Sequence, residues 1–182
     1  LDITKALRYG EKNVIAVKAN TQNPQNSRWY TGGGLFRDVK MIHTDGQQYF
    51  TRHPLYVTTN GEWVKVQASM AYLLNSKDAF SVEVKISDAD GKVVASHINK
   101  VNGNRRQKDN AEYVLDSMKV ENPNLWSCEA PHLYNIEASI INAQGETVDK
   151  VCDQFGFRTI EFSPEFGLKL NGKKVLLKGL AN

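Results

Sequence analysis

The feature that most constrains this chain is an alternation of apolar and polar residues with a period of two, which runs through most of its 182 residues. Successive side chains of a β-strand point to opposite faces, so each alternating run predicts a strand with one buried face. Turn residues separate the runs at regular intervals. The seven predicted strands cover residues 55–59, 64–74, 79–87, 92–99, 111–120, 133–141 and 146–156.

About seven short strands within roughly a hundred residues are typical of an immunoglobulin-like β-sandwich. In the run 79–87, Phe80, Val82, Val84 and Ile86 are expected in the core, and the residues between them face water. No segment has a convincing helical period. The predicted fold class is therefore all-β: an immunoglobulin-like β-sandwich of about seven strands with flanking β-hairpin segments.

The two flanking hairpins are predicted from different signals. At the N-terminal side, the alternating runs 13–19 and 35–42 are expected to pair beside the sandwich, with the long polar connection 20–34 left mobile. At the C-terminal side, Asn171-Gly172 lies between the runs 167–170 and 173–177, and Asn-Gly between alternating runs is the strongest local hairpin signal.

Composition excludes several classes of protein. Apolar residues make up 41% and charged residues 24%, which argues against disorder. No apolar run approaches the roughly 18–20 residues of a membrane helix. Lys and Arg number 23 against 20 Asp and Glu, and this net charge of +3 is too small and dispersed to indicate nucleic acid. We therefore predict no membrane and no nucleic-acid partner.

Neither a disulfide nor a metal site is predicted. In the expected hairpin of residues 133–153, Cys152 lies opposite Asn135, which puts Cys128 roughly 23 Å away at about 3.3 Å per residue. Two free thiols are expected. The four histidines, none spaced as ligands of one metal ion, are His43, His53, His97 and His132. No cofactor is predicted, since the glycines at 32–34 lead into a predicted strand and not into a phosphate-binding helix.

Catalytic residues are not predicted in this chain. A Gly-x-Ser-x-Gly nucleophile motif is absent from the sequence. A glycosidase needs two carboxyl groups about 5–5.5 Å apart for retention, or about 6.5–9.5 Å apart for inversion. The acidic residues here fall mostly at exposed strand positions and turns, so no pair is expected to be catalytic.

Arg28 and Trp29 are the candidate substrate-binding residues. A guanidinium beside aromatic rings on a long loop suits sugar recognition, because rings stack on sugar C–H faces and guanidinium binds hydroxyl or carboxylate groups. The alternative is a loop pinned to its domain by buried aromatic side chains. A second aromatic stretch, residues 122–134, allows the same two interpretations, and there Trp126 and Tyr134 are expected to plug one end of the sandwich.

Three segments carry a resemblance to glycoside hydrolase family 2. The run SRWYTGGGLFRDV at 27–39 resembles the end of the family's sugar-binding domain, and NLWSCEAPHLY at 124–134 resembles its sandwich signature, with Cys128 in place of the usual proline. The runs FGFRTI at 155–160, LNGK at 170–173 and LKG at 177–179 are similar to the passage into its catalytic barrel. Within the family, the likeness is to bacterial β-galactosidases of the Bacteroides type.

The resemblance implies three domain assignments. Residues 1–43 would end a jelly-roll sugar-binding domain, residues 44–158 would form the immunoglobulin-like domain, and residues 159–182 would begin a TIM-barrel catalytic domain. The chain starts without a methionine, and we expect it to be a piece of a longer protein. The catalytic Glu pair of a retaining exo-glycosidase would then lie in the missing barrel, so the piece alone is expected to be inactive.

Several properties stay open at this stage. The parent acts on terminal β-galactosides by resemblance, and β-glucuronidase, β-mannosidase and a stand-alone carbohydrate-binding or adhesion module are the alternatives. Its partners would be the carbohydrate substrate and the missing domains of the same chain. Homo-oligomerisation is left open because exposed sheet edges can pair between chains. The resemblance alone favours a periplasmic or secreted location.

Overall fold

The computed structural model describes residues 2–20, 34–35, 38–44, 48–72, 79–101, 111–115 and 117–179. The chain divides into two units, residues 1–42 and residues 43–182. In the described part of the first unit, a 3₁₀ turn at Thr4–Ala6 is the one regular element. Within the described ranges the structure contains no helix of the length and apolarity that crossing a membrane requires.

The second unit is built from antiparallel strands. The strands are β1 Gln48–Asn60, β2 Trp63–Tyr72, β3 Phe80–Ser87, β4 Val93–Val101, β5 Ala111–Val114, β6 Met118–Lys119, β7 Tyr134–Ile141, β8 Thr147–Phe155, β9 Ile160–Ser163, β10 Gly167–Leu170 and β11 Lys173–Lys174. One sheet has the order β1-β2-β5, with β6 also paired to β2, and the second has the order β4-β3-β7-β8. The third, small sheet has the order β11-β10-β9.

The core lies between the two larger sheets and follows the alternation in the sequence. Strand β3 buries Phe80, Val82, Val84 and Ile86, as predicted, and the intervening residues are half-buried. Strands β2 and β7 contribute their own alternate residues to the same cluster, namely Val64, Val66, Ala68, Met70, Tyr134, Ile136, Ala138 and Ile140. Side chains from both sheets therefore fill one interior, and the prediction of an all-β sandwich is confirmed.

The small sheet confirms the predicted C-terminal hairpin. Asn171 and Gly172 both have left-handed backbone angles, with φ of 50° and 76°. Two left-handed residues in a two-residue connection form the turn whose twist matches that of the flanking strands. The hairpin continues past β11, because the Val175 amide donates to the Leu168 carbonyl at 3.0 Å.

The predicted N-terminal hairpin is wrong for the described residues. Residues 13–19 form no strand, and neither do residues 35 and 38–42. The apolar side chains of this stretch stay exposed, with Val14 at 83% and Val39 at 76%. A strand needs a hydrogen-bonded neighbour and a surface to cover, and these residues find neither in the described part of their unit. Most of the connection predicted to be mobile, residues 21–33, lies outside the described residues.

Strand β1 begins seven residues before its predicted start at residue 55. Its pairing with β2 shifts register between Phe50 and Leu55, where His53 has a φ of 52° and precedes Pro54. Proline has no amide hydrogen to donate to the neighbouring strand. A proline therefore argues against a continuous strand when only the sequence is read. The structure accommodates Pro54 in a bulge and continues the strand on both sides of it.

The predicted strand 111–120 is split into β5 and β6. Val114 pairs with Gln67 of β2, whereas Met118 pairs with Val64. Between these two pairs the chain advances four residues, from 114 to 118, while β2 advances only three, from 67 to 64. The one extra residue separates β5 from β6.

The β7–β8 hairpin forms, but its register is two residues from the predicted one. Cys152 pairs with Glu137, and Asn135 pairs with Gln154. The turn holds one more residue than expected, and a further shift lies between Ile140 and Ile141. Both cysteines are free and exposed.

Candidate functional site

The two predicted substrate-binding residues, Arg28 and Trp29, lie outside the residues that the structure describes. The second aromatic stretch, residues 122–134, is described in full and lies at one end of the sandwich. Together with the connection 156–159 and the turn at Asn171, it forms the contact between the sandwich and the small sheet. We call this region the junction.

The loop that carries Trp126 runs parallel to the connection after β8. The Trp126 amide donates to the Phe157 carbonyl at 2.8 Å, and Leu125 forms a bridge with Phe157. At the other end of the loop, the Asn124 amide donates to the Tyr134 hydroxyl at 3.0 Å. The loop is thus held by backbone hydrogen bonds on one side and by a core tyrosine on the other.

Three aromatic rings close the end of the core below this loop. Phe157 is fully buried, and its ring contacts Tyr134 edge-to-face at 4.9 Å and Phe155 at 5.3 Å between centroids. Such ring pairs stabilise the fold beyond what their buried apolar area contributes. The plugging role predicted for Tyr134 is confirmed, since that residue is 5% exposed, whereas Trp126 is only half-buried.

Gly156 and Arg158 flank Phe157 and both contact Trp126. A Cβ on Gly156 would lie 2.6 Å from the Trp126 Cβ, so this position has room for glycine alone. The Arg158 guanidinium lies 5.0 Å from the centre of a Trp126 ring, within the range of a cation–π interaction. The Thr59 hydroxyl donates to the Arg158 carbonyl at 2.9 Å and accepts from its amide at 3.2 Å.

Asn171 joins the small sheet to this arrangement. Its side-chain Nδ2 donates to the Trp126 carbonyl at 3.0 Å, and its Oδ1 accepts from the Thr159 amide at 3.0 Å. Its own amide donates to the Thr159 carbonyl at 2.9 Å. The sequence analysis identified Asn171 only as a turn residue, because hydrogen bonds to residues 12 and 45 positions away leave no periodic signal.

Several of the described carboxylates are engaged in structural hydrogen bonds. Asp149 accepts from the Phe50 amide at 2.7 Å, and Glu137 accepts from Lys150 Nζ at 3.0 Å, which raises the pKa of Lys150. The Ser163 hydroxyl donates to Glu165 and lowers the pKa of that carboxyl. A carboxyl group that acts as a general acid needs a raised pKa, which is the opposite of the shift at Glu165. Among the described residues, no group of three or more His, Cys, Asp or Glu side chains could hold a metal ion.

Glu62 gives a testable pH dependence. The Asn122 amide donates to its carboxylate at 2.9 Å and Lys119 Nζ lies 3.2 Å away, and these contacts lower the pKa of Glu62 in that order of importance. Glu62→Gln should therefore be less stable than the wild type above the ordinary pKa of glutamate, about 4.3. The difference should vanish as the pH falls through the lowered pKa of the folded state. Urea midpoints at pH 7, 5, 4 and 3 measure it.

The control for this prediction is Glu121→Gln, which removes a carboxylate that is 80% exposed and lies 3.8 Å from the same lysine. Its effect should be smaller at neutral pH, since exposed ion pairs contribute little. A difference between Glu62→Gln and the wild type that persists unchanged at pH 3 would contradict the assignment.

The small sheet exposes an apolar face. Ile160 pairs with Leu170 and Phe162 with Leu168, so the pairs put four apolar side chains on one side of the sheet, which we call the apolar face. Phe162 is 80% exposed and Ile160 is 59% exposed. Large contiguous patches of exposed apolar surface mark sites of interaction.

Comparison with known proteins finds a matching family profile and several similar enzymes. A family profile described as glycosyl hydrolases family 2 matches residues 53–158. A β-galactosidase of Bacteroides ovatus is 29% identical over 98% of this chain and 21% of its own length. A β-glucuronidase of Formosa agariphila is 28% identical over 98% of this chain and 20% of its own length.

A solved structure is also similar to this chain. A glycosyl hydrolase family 2 member from Bacteroides cellulosilyticus superposes with a TM-score of 0.84 at 30% identity, covering 98% of this chain and 24% of the other. The chain spans 16 to 21% of the length of the first curated relatives that it matches.

Proposed function

This chain belongs to the glycosyl hydrolases family 2, and on that premise we propose that it is a non-catalytic supporting region of a retaining exo-glycosidase that hydrolyses terminal β-galactosides. The relatives named β-galactosidase support the substrate. Their greater length supports a catalytic pair outside this chain, since the chain corresponds to about a fifth of each relative. The engaged carboxylates of the sandwich and of the small sheet agree with a structural role.

The observation that carries this proposal is the exposed apolar face of the small sheet. It follows directly on the region that matches the family, and it combines Phe162 at 80% exposure with Ile160 at 59%. Burial of a phenylalanine contributes about 1.5–3 kcal/mol, so a face left in water is unfavourable. We propose that a catalytic domain of the parent protein covers this face.

The domain assignments are part of the same proposal. Residues 1–43 are proposed to end a sugar-binding domain, residues 44–158 to form the immunoglobulin-like domain, and residues 159–182 to begin a TIM-barrel catalytic domain. The strand orders β1-β2-β5 and β4-β3-β7-β8 support the second assignment. Arg28 and Trp29 are proposed to contact the sugar from the first of these domains.

A second candidate function is β-glucuronidase activity of the parent. The β-glucuronidase of Formosa agariphila matches this chain as extensively as the β-galactosidase of Bacteroides ovatus does. A stand-alone carbohydrate-binding module is the weaker alternative, because such a module has no use for a small sheet with an exposed apolar face.

The test is hydrolysis of p-nitrophenyl β-galactoside by this 182-residue chain and by the full-length parent, with the glucuronide and mannoside as controls. We expect an inactive chain beside a parent that prefers the galactoside. A parent that prefers the glucuronide would transfer the proposal to the second candidate. Galactoside hydrolysis by this chain alone would overturn the non-catalytic role.

A further inference from the structure

We infer that Asn171 is a positioning residue that fixes the direction in which the small sheet, and any chain that continues from it, leaves the sandwich. This inference goes beyond the proposed function and does not depend on the sugar that the parent hydrolyses. It rests on the hydrogen bonds of one side chain, on the backbone conformation of its residue, and on the rigidity of the groups that it contacts.

Asn171 contacts two separate segments from the tip of the β10–β11 hairpin. The amide group of its side chain binds the Trp126 carbonyl through Nδ2 and the Thr159 amide through Oδ1, each at 3.0 Å. The backbone amide of Asn171 adds the bond to the Thr159 carbonyl at 2.9 Å. The two bonds to Thr159 hold the hairpin tip to the connection just before β9, and the bond to Trp126 ties the same tip to the sandwich loop.

Asparagine is the residue type that meets both demands at this position. The turn requires a left-handed backbone, and the φ of Asn171 is 50°. Glycine and asparagine adopt this conformation at low cost, whereas most other residues do not. Of the two, only asparagine carries a side chain with both a donor and an acceptor, and aspartate would supply the acceptor alone.

The groups that Asn171 binds are themselves held in place. The Trp126 amide is bonded to the Phe157 carbonyl, and the Thr59 hydroxyl binds both backbone groups of Arg158. The Arg158 guanidinium also lies over the Trp126 ring. Trp126 belongs to a loop of the sandwich and Thr159 to the connection that follows it. The bonds of Asn171 to these two residues therefore hold the small sheet in one orientation relative to the sandwich.

The inference is tested by NMR on the 182-residue chain with two variants that keep the turn. Asn171→Gly removes the whole side chain, and Asn171→Asp keeps the acceptor but loses the donor. We expect exchange of the Thr159 amide to accelerate about tenfold in the glycine variant and to stay protected in the aspartate variant. The carbonyl ¹³C shift of Trp126 should change in both.

Residual dipolar couplings measure the orientation itself. In the wild type, amides of β9–β10 and amides of β3 and β7 should fit one alignment tensor. In Asn171→Gly, the couplings of β9–β10 should shrink while those of the sandwich are unchanged. Asn122→Gly is the matched control, since Asn122 also has a left-handed backbone, with a φ of 48°, and it lies in the loop next to Trp126.

A single tensor that fits both sheets in Asn171→Gly would overturn the inference, as would an equal loss of coupling in Asn122→Gly. Neither result affects the proposed glycosidase role, which is judged by hydrolysis. Conversely, a parent without glycosidase activity would leave the role of Asn171 standing.

Discussion

Replacing Phe157 by alanine is expected to lower the free energy of unfolding by about 3–5 kcal/mol. Phe157 is fully buried, so its removal leaves a cavity that the surrounding structure can fill only in part. The change also deletes the contacts with the Tyr134 and Phe155 rings, at 4.9 and 5.3 Å between centroids. Urea unfolding followed by circular dichroism measures the loss.

The matched control is Phe162→Ala, which removes the same side chain where it is 80% exposed. In the 182-residue chain this change should alter the free energy of unfolding by no more than about 0.5 kcal/mol. In a full-length parent it should cost more, because the proposed catalytic domain covers the apolar face. Equal losses for Phe157→Ala and Phe162→Ala in the short chain would contradict the assignment of Phe157 to the core.

Gly156→Ala should have the second large effect, a loss of about 1–3 kcal/mol or more. The added methyl group would lie 2.6 Å from the Cβ and 2.8 Å from the Cγ of Trp126, far inside van der Waals contact. The backbone of Trp126 is hydrogen-bonded to Phe157 and to Asn171, so the indole cannot withdraw without breaking those bonds. Thermal unfolding of the purified variant measures the loss.

Gly179→Ala is the control for this substitution. Apart from its chain neighbours, no heavy atom of the described residues lies within 4 Å of the position that its Cβ would take, and its backbone is not left-handed. We expect a change within about 0.5 kcal/mol of the wild type. A Gly156→Ala variant as stable as Gly179→Ala would show that Trp126 shifts freely and that the junction is loosely packed.

The sandwich was predictable from sequence because its signal is local and repeated. Burial in β3 follows directly from the alternation of Phe80, Val82, Val84 and Ile86 with polar residues. The hairpin at Asn171-Gly172 was predictable for a related reason, since two adjacent residues determine the turn. Where the physics of a few neighbouring residues decides the structure, periodicity and turn chemistry are sufficient.

The errors have the opposite origin. Val14 and Val39 belong to alternating runs, yet both stay exposed, because periodicity does not say whether a partner strand is present. The register at Cys152 depends on an extra residue and a shift near Ile141, which leave the alternation of β7 unchanged. At the junction, Asn171 binds residues far away in the chain, and no spacing rule connects them.

The first long strand of the sandwich pairs at once with β2, yet both of its ends are also bonded to residues that are synthesised much later. The Phe50 amide of β1 is held by Asp149, and Thr59 near the other end of β1 is held by Arg158, each across 99 positions. A ribosome that adds about 5–20 residues per second takes roughly 5–20 s to supply those partners. Contacts so distant also make closure slow. During translation, therefore, the β1–β2 hairpin stands for this interval without the two bonds that fix its ends to the rest of the sandwich.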